Sequence, residues 1–219
     1  MMFSMQETIR VSVRITRPML RQSPFRHILW SGNQRAVFVS GRFSIPVLGF
    51  VAVSGMGKTT LLSRLIPQLR KRGLRCAVIK HSHHDFEIDR PGKDSHRLRE
   101  AGAGQVLLAS PHRTFWVQEG DGVSEPGLAD LLGHLDLESI DLVLVEGFRH
   151  ERLPKIEIHR PELGMPLLCG DDPDFIALAT DAEPDGFSRL PLLPLNEPDT
   201  IADFVLGWLT RWFSRSSVL

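Results

Sequence analysis

The stretch FVAVSGMGKTTLLSRLI, Phe50–Ile66, decides the fold. A run of apolar residues stops at Ser54-Gly55-Met56-Gly57, and Lys58 opens a segment that reads as a helix to Arg72. Its Leu61, Leu62, Leu65, Ile66 and Leu69 recur at helical spacing until Gly73 ends it. Pro67 lies inside that segment and predicts a kink. A strand, a tight glycine turn and a helix, in this order, form a phosphate-binding loop. Gly55 and Gly57 let the backbone curl so that successive N–H groups point inward, and with the helix N-terminus they make a nest for anions. Lys58, in the first helical turn, reaches the β- and γ-phosphates as a point charge. The Thr59 hydroxyl is placed to ligate Mg2+, and Thr60 adds a hydroxyl toward the α-phosphate. The pattern G-x-x-x-x-G-K-[ST] asks for glycine at position 52, where this chain has Ala52. Alanine there costs little so long as its φ stays negative.

A magnesium ion beside a triphosphate needs a second anchor at the end of a neighbouring strand. DLVLVEG, Asp141–Gly147, supplies Glu146 after four apolar residues, and Gly147 allows close backbone approach to a γ-phosphate. Thr59 and Glu146 are therefore the expected metal ligands, Glu146 directly or through water; the alternative for Glu146 is a buried-edge acid paired to a surface lysine. Asp141 opens the same strand and falls at its far end. FIALATD, Phe175–Asp181, finishes in Thr180-Asp181 at the carboxyl end of a strand, where α/β sheets bind ligands. An aspartate there can accept hydrogen bonds from N1–H and the 2-amino group of guanine. Adenine offers neither donor, and each bond lost to a charged group costs about 1.5–3 kcal/mol. The reading is GTP, although the Asn-Lys-x-Asp signature of most GTPases is absent; a plain strand-to-loop cap at Asp181 is the alternative.

Around these motifs the chain alternates apolar runs with helical patterns from Ile45 onward, as α/β proteins do. Strands are expected at Val47–Val53, CAVIKH, QVLLAS, TFWVQ, DLVLVEG and FIALATD, and a half-exposed one at KIEIHR. Helices are expected at 94–101, at GLADLLGHL and at 200–215, where Trp208 and Trp212 fall on the inner face as core or dimer packing. The predicted architecture is α/β and P-loop NTPase-like: a mostly parallel sheet flanked by helices, with a few additional antiparallel strands, over a single domain spanning 45–215. Residues 1–44 read as an arginine-rich tail, disordered or upstream of the true start. Of the 219 residues, 42% are hydrophobic and 24% charged. The formal charge is zero, but the first 45 residues hold seven arginines and one acid, leaving the body mildly acidic, which argues against nucleic acid. No apolar run is long enough to span a bilayer. Two cysteines without metal-ligand spacing fit a reducing cytoplasm.

IKHSHHDFEIDRPGKDSHRLREAGA (Ile79–Ala103), with AVSGMGKTTLL, LVLVEGFRHE and IALATD, resembles the MobB family. These are the adapter proteins of molybdopterin-guanine dinucleotide biosynthesis, and the resemblance runs from about Ile45 to Phe213. It implies a GTP-binding, Mg2+-dependent protein with weak intrinsic GTPase activity, typically a homodimer. Such a protein assists the MobA-type guanylyltransferase that joins GMP to molybdopterin; molybdopterin itself and molybdoenzyme chaperones are further partners to consider. By motif match Ser54, Gly55, Met56, Gly57, Lys58, Thr59 and Thr60 hold the phosphates, Thr59 and Glu146 the metal, and Thr180 and Asp181 the base. No water-orienting glutamine or arginine finger stands out, in keeping with slow hydrolysis. Asp89 and Asp94 are the catalytic candidates, and with Asp85 they lie in a segment that can order on the γ-phosphate–Mg2+ unit as a switch does. Lys93 or Arg90 can donate to phosphate. Two other functions compete: a small-molecule P-loop kinase, for which an arginine-rich lid is missing, and a metal-delivery GTPase using His81, His83 and His84.

Overall fold

The computed structural model describes residues 38–39, 42–82, 89–184 and 189–216. Most of the 1–44 tail, together with His83, His84 and Asp85, lies outside them. Phe38–Val39 (β1) and Arg42–Phe43 (β2) pair antiparallel, so extended structure begins shortly before position 45. The main sheet is then built from Val47–Val51 (β3), Cys76–Lys80 (β4), Leu142–Glu146 (β7), Lys155–His159 (β8), Phe175–Thr180 (β9) and Leu192–Pro194 (β10). Gln105–Ala109 (β5) and Thr114–Gln118 (β6) form a separate antiparallel pair.

The six strands of the main sheet lie in the order β10-β9-β8-β3-β7-β4, and every pairing is parallel. Parallel sheets are covered on both faces, and the strands read accordingly as near-continuous apolar runs. One face carries Leu48 and Phe50 of β3, Leu142 and Leu144 of β7, and Ile156 and Ile158 of β8. Helices Lys58–Lys71 (α1) and Pro198–Ser216 (α4) pack on this face through Leu65, Leu69, Ile201, Val205 and Leu209. Trp208 is buried there too, and Trp212 packs against the same cluster. Arg72 at the end of α1 ties the two helices together through ion pairs to Asp199 and Asp203. The helix runs through Pro67 as one element; Pro67 and Ser63 are both exposed, so the Ser63 carbonyl that loses its intrahelical donor faces water.

On the opposite face, Val47, Val143 and Val145 pack against Leu128 and Leu132 of a short helix, Leu128–Gly133 (α3). Val51 and Phe175 are covered there by Leu167, Leu168 and Cys169 of the loop after β8. A further short helix, Asp94–Glu100 (α2), precedes β5. Two features differ from the sequence reading. β10 has no strand-like signature, because only three residues pair and a proline ends them. β8 is fully buried rather than half exposed: Lys155 and Glu157 are each 1% accessible and His159 is 5%. Its alternation of charge and isoleucine mimics an edge, but both neighbours are present and the charges have internal partners. Lys155 Nζ donates to the Arg149 carbonyl (2.9 Å) and to Asp172 (3.2 Å). Glu157 accepts from the N–H groups of Leu168 (2.7 Å) and Cys169 (2.8 Å).

Candidate functional site

The turn between β3 and α1 is held from beneath by Met56, whose side chain is 1% exposed and belongs to the core. The Met56 N–H donates to the Val53 carbonyl at 3.4 Å and closes the turn. Gly55 and Gly57 adopt φ of 84° and 90°, the left-handed region in which a side chain is strained. Among the described non-glycine residues only Phe148 has positive φ, so Ala52 sits without strain where the general pattern has glycine. The N–H groups of Gly55, Gly57, Lys58, Thr59 and Thr60 donate to no acceptor among the described residues; Leu61 N–H is the first to return to the helix, bonding the Gly57 carbonyl at 2.9 Å. Such a row of free donors at the start of a 14-residue helix suits an anion. Lys58 Nζ folds back over the turn and donates to the carbonyls of Ala52 (3.1 Å) and Val53 (3.4 Å). That places a positive charge on the rim of the nest.

β7 lies next to β3 and β4 next to β7, which brings two further groups alongside. Thr59 Oγ1 donates to Glu146 Oε1 at 2.8 Å. Lys80 Nζ lies 3.1 Å from the same Glu146 oxygen and donates to Thr59 Oγ1, also at 3.1 Å. Glu146 is 6% exposed, and its carboxylate is thus satisfied by one hydroxyl and one ammonium. A hydroxyl and a carboxylate oxygen side by side, next to free N–H donors, form a donor set that a small hard cation can use. Sequence reasoning singled out Thr59 and Glu146 and allowed a surface lysine as the partner of Glu146; the strand pairing of β4 with β7 identifies that lysine as Lys80. Asp141, at the far end of β7, holds Arg75 in a bidentate pair at 2.9 and 2.7 Å, a structural role.

Gly147 follows Glu146 with φ of 99°, and a Cβ on it would lie 3.1 Å from the His81 Cβ. Phe148 packs against the His81 ring, centroids 4.8 Å apart and planes tilted by 40°, and His81 Nε2 lies 3.1 Å from Glu125. His81 thus packs beside the end of β7. No cluster of three or more His, Cys, Asp or Glu that could hold a metal occurs among the described residues.

Thr180 and Asp181 lie at the carboxyl end of β9, two strands over from the loop, about 10 Å at the usual strand spacing. The Thr180 hydroxyl donates to the Ala182 carbonyl at 2.6 Å and shapes the turn. Asp181 is ion-paired with Arg160, which follows β8. Asp89 accepts from Ser95 Oγ at 2.8 Å and faces Arg99 at 3.9 Å, while Asp94 opens α2 on the surface. Neither has a bond to the glycine turn. Burial pushes the Cys76 thiol up to about 12 and, with the help of Glu157, the Cys169 thiol up to about 11, which favours the protonated form of both.

The family model for molybdopterin guanine dinucleotide synthesis protein B matches residues 47–181, from β3 to Asp181. The molybdopterin-guanine dinucleotide biosynthesis adapter protein of Escherichia coli (strain K12) is 42% identical over 174 residues, covering 79% of this chain and 98% of that protein. The chain belongs to the MobB family. The adapter protein of Haemophilus influenzae is 43% identical over 175 residues, which are 80% of this MobB-family chain and 94% of the relative. A crystal structure of molybdopterin-guanine biosynthesis protein B superposes with a TM-score of 0.57 at 30% identity, over 75% of this chain and 99% of that one. Bacillus subtilis MobB, at 23% identity, shares the fold with a TM-score of 0.58 over 74% of this chain and 97% of its own.

Proposed function

We propose that this MobB-family chain is an adapter in molybdopterin-guanine dinucleotide biosynthesis that binds GTP with Mg2+ and assists a MobA-type guanylyltransferase, hydrolysing GTP weakly at most. The observation that carries the reading is the contact of Thr59 with Glu146 beside a turn of free N–H donors. Phosphates would lie in the turn against Lys58, and Mg2+ would be held by Thr59 and Glu146, where it would neutralise charge shared by the β- and γ-phosphates. Thr180 shapes the turn that would present Asp181 to guanine. Slow turnover fits the commitments of the acids: Glu146 is engaged by Thr59 and Lys80, and Asp89 by Ser95. The relatives that match nearly the whole folded part of the chain are adapter proteins by name, which supports a role exercised on a partner enzyme. Among the described residues no helix is long and apolar enough to cross a membrane.

The test is thermal unfolding with and without MgGTP. GTP at a hundred times its Kd raises the stability of the wild type by about 2.7 kcal/mol. Lys58→Ala is expected to unfold at the apo temperature of the wild type and to lose the GTP shift. A full response by the variant removes Lys58 from the site, and with it the phosphate assignment.

A further inference from the structure

Lys80 contacts both groups assigned above to a metal. It stands on β4, in register with Glu146 on β7, so the strand pairing itself delivers its side chain to the carboxylate. Its ammonium is 3.1 Å from Glu146 Oε1 and 3.1 Å from Thr59 Oγ1. The Thr59 proton is given to Glu146 at 2.8 Å, and Lys80 takes one of the two lone pairs on the threonine oxygen. A carboxylate exposed by only 8% of its side chain is costly without a counter-charge. The Lys80 side chain, by contrast, is 53% exposed, so it can swing away into water at little cost.

We infer that Lys80 is the resident counter-cation of the Thr59–Glu146 site, an ammonium that holds these two oxygens in place of a divalent ion and yields to it. The inference rests on the functional reading above and adds a residue to it. A divalent ion bound directly to both oxygens at about 2.0–2.1 Å would lie within a few ångströms of the ammonium, and that like-charge repulsion favours the exposed lysine leaving. When Mg2+ enters, Lys80 leaves, and the phosphates in the turn are then the nearest anion proposed for it. When Mg2+ is absent, Lys80 supplies the positive charge beside those phosphates. The glutamate is thus never buried without a partner, and binding of nucleotide is made less dependent on the metal than the donor set alone would make it.

The experiment measures GTP affinity by calorimetry in EDTA and in saturating Mg2+, and Mn2+ affinity by electron paramagnetic resonance without nucleotide. Variants are Lys80→Met, which keeps the stem, and Lys80→Arg, which keeps the charge. Lys80→Met should lose about tenfold or more of the metal-free GTP affinity, the scale of one charge-assisted hydrogen bond, and should bind Mn2+ alone about tenfold more tightly. Lys80→Arg should hold the metal-free affinity within about threefold. The inference is overturned if the wild type binds GTP yet Lys80→Met shows the same metal dependence and the same Mn2+ affinity. If Lys80→Met fails to fold, a Lys80→Arg protein that loses the metal-free affinity overturns it as well. A wild type that binds no purine triphosphate in either condition overturns the functional reading itself.

Discussion

At the scale of single residues, Asp181 carries the sharpest demand. Its carboxylate is paired with Arg160, so a base could be read there only after that pair opens or tilts. An ion pair at a half-open strand end is a modest hold, and a carboxylate meeting two guanine donors gains at least as much. Asp181→Asn keeps the shape but offers one amide oxygen and a donor that guanine N1–H and its 2-amino group cannot use. The ratio of GTP to ATP dissociation constants should rise by about tenfold or more in this variant. Arg160→Ala, which frees the carboxylate, should leave the preference for guanine in place. Competition binding of the two nucleotides measures both, and an unchanged ratio in Asp181→Asn moves base recognition elsewhere on the molecule.

At the scale of elements, β8 shows how burial can be hidden from sequence. Lys155 is enclosed by β3, β9 and the loop after β8, with the Phe175 ring 5.2 Å from its ammonium. Through Arg149 and Asp172 it joins the segment that follows Glu146 to the loop covering the opposite sheet face. Lys155→Ala should cost about 3 kcal/mol or more in urea unfolding, from the cavity and the two lost bonds, whereas Lys155→Met should cost clearly less because it refills the space. Equal losses in the two variants would mean that charge, not volume, governs the site. The Asp172 carboxyl is held below its ordinary value, first by the Asp174 N–H and then by Lys155. Its contribution is therefore complete above the ordinary value and disappears as pH falls through the lowered one. None of this was legible in KIEIHR, because the partners are a carbonyl, a carboxylate and two N–H groups of the flanking loops, and such partners leave no periodicity. The glycine turn, Glu146 after its apolar run and the helix after Lys58 were legible, since each depends on neighbours within a few positions. Lys80 was not, because its meaning lies in a cross-strand register between residues 66 positions apart.

At the scale of the whole molecule, the β5–β6 pair stands outside the main sheet and is left incomplete. Leu107 and Trp116 face each other in register, 64% and 37% exposed, and Leu108 is 39% exposed. His134 covers part of Trp116, with ring centroids 4.4 Å apart, but nothing comparable covers Leu107 among the described residues. A two-stranded ribbon is marginal alone in water, and its outer edges keep unpaired backbone groups. A second copy of the chain, related by a twofold axis, would cover Leu107, Trp116 and an edge, so a homodimer joined through this ribbon is the outcome to test. Leu107→Glu places a charge in the centre of that contact and should turn a dimer into a monomer in analytical ultracentrifugation at micromolar concentration. Its thermal shift with MgGTP should remain, because β5 shares no residue with the glycine turn. A wild type that sediments as a monomer across that range would remove the homodimer, and a Leu107→Glu protein that stays dimeric would place its interface elsewhere; either leaves the exposed ribbon as a surface for a different partner.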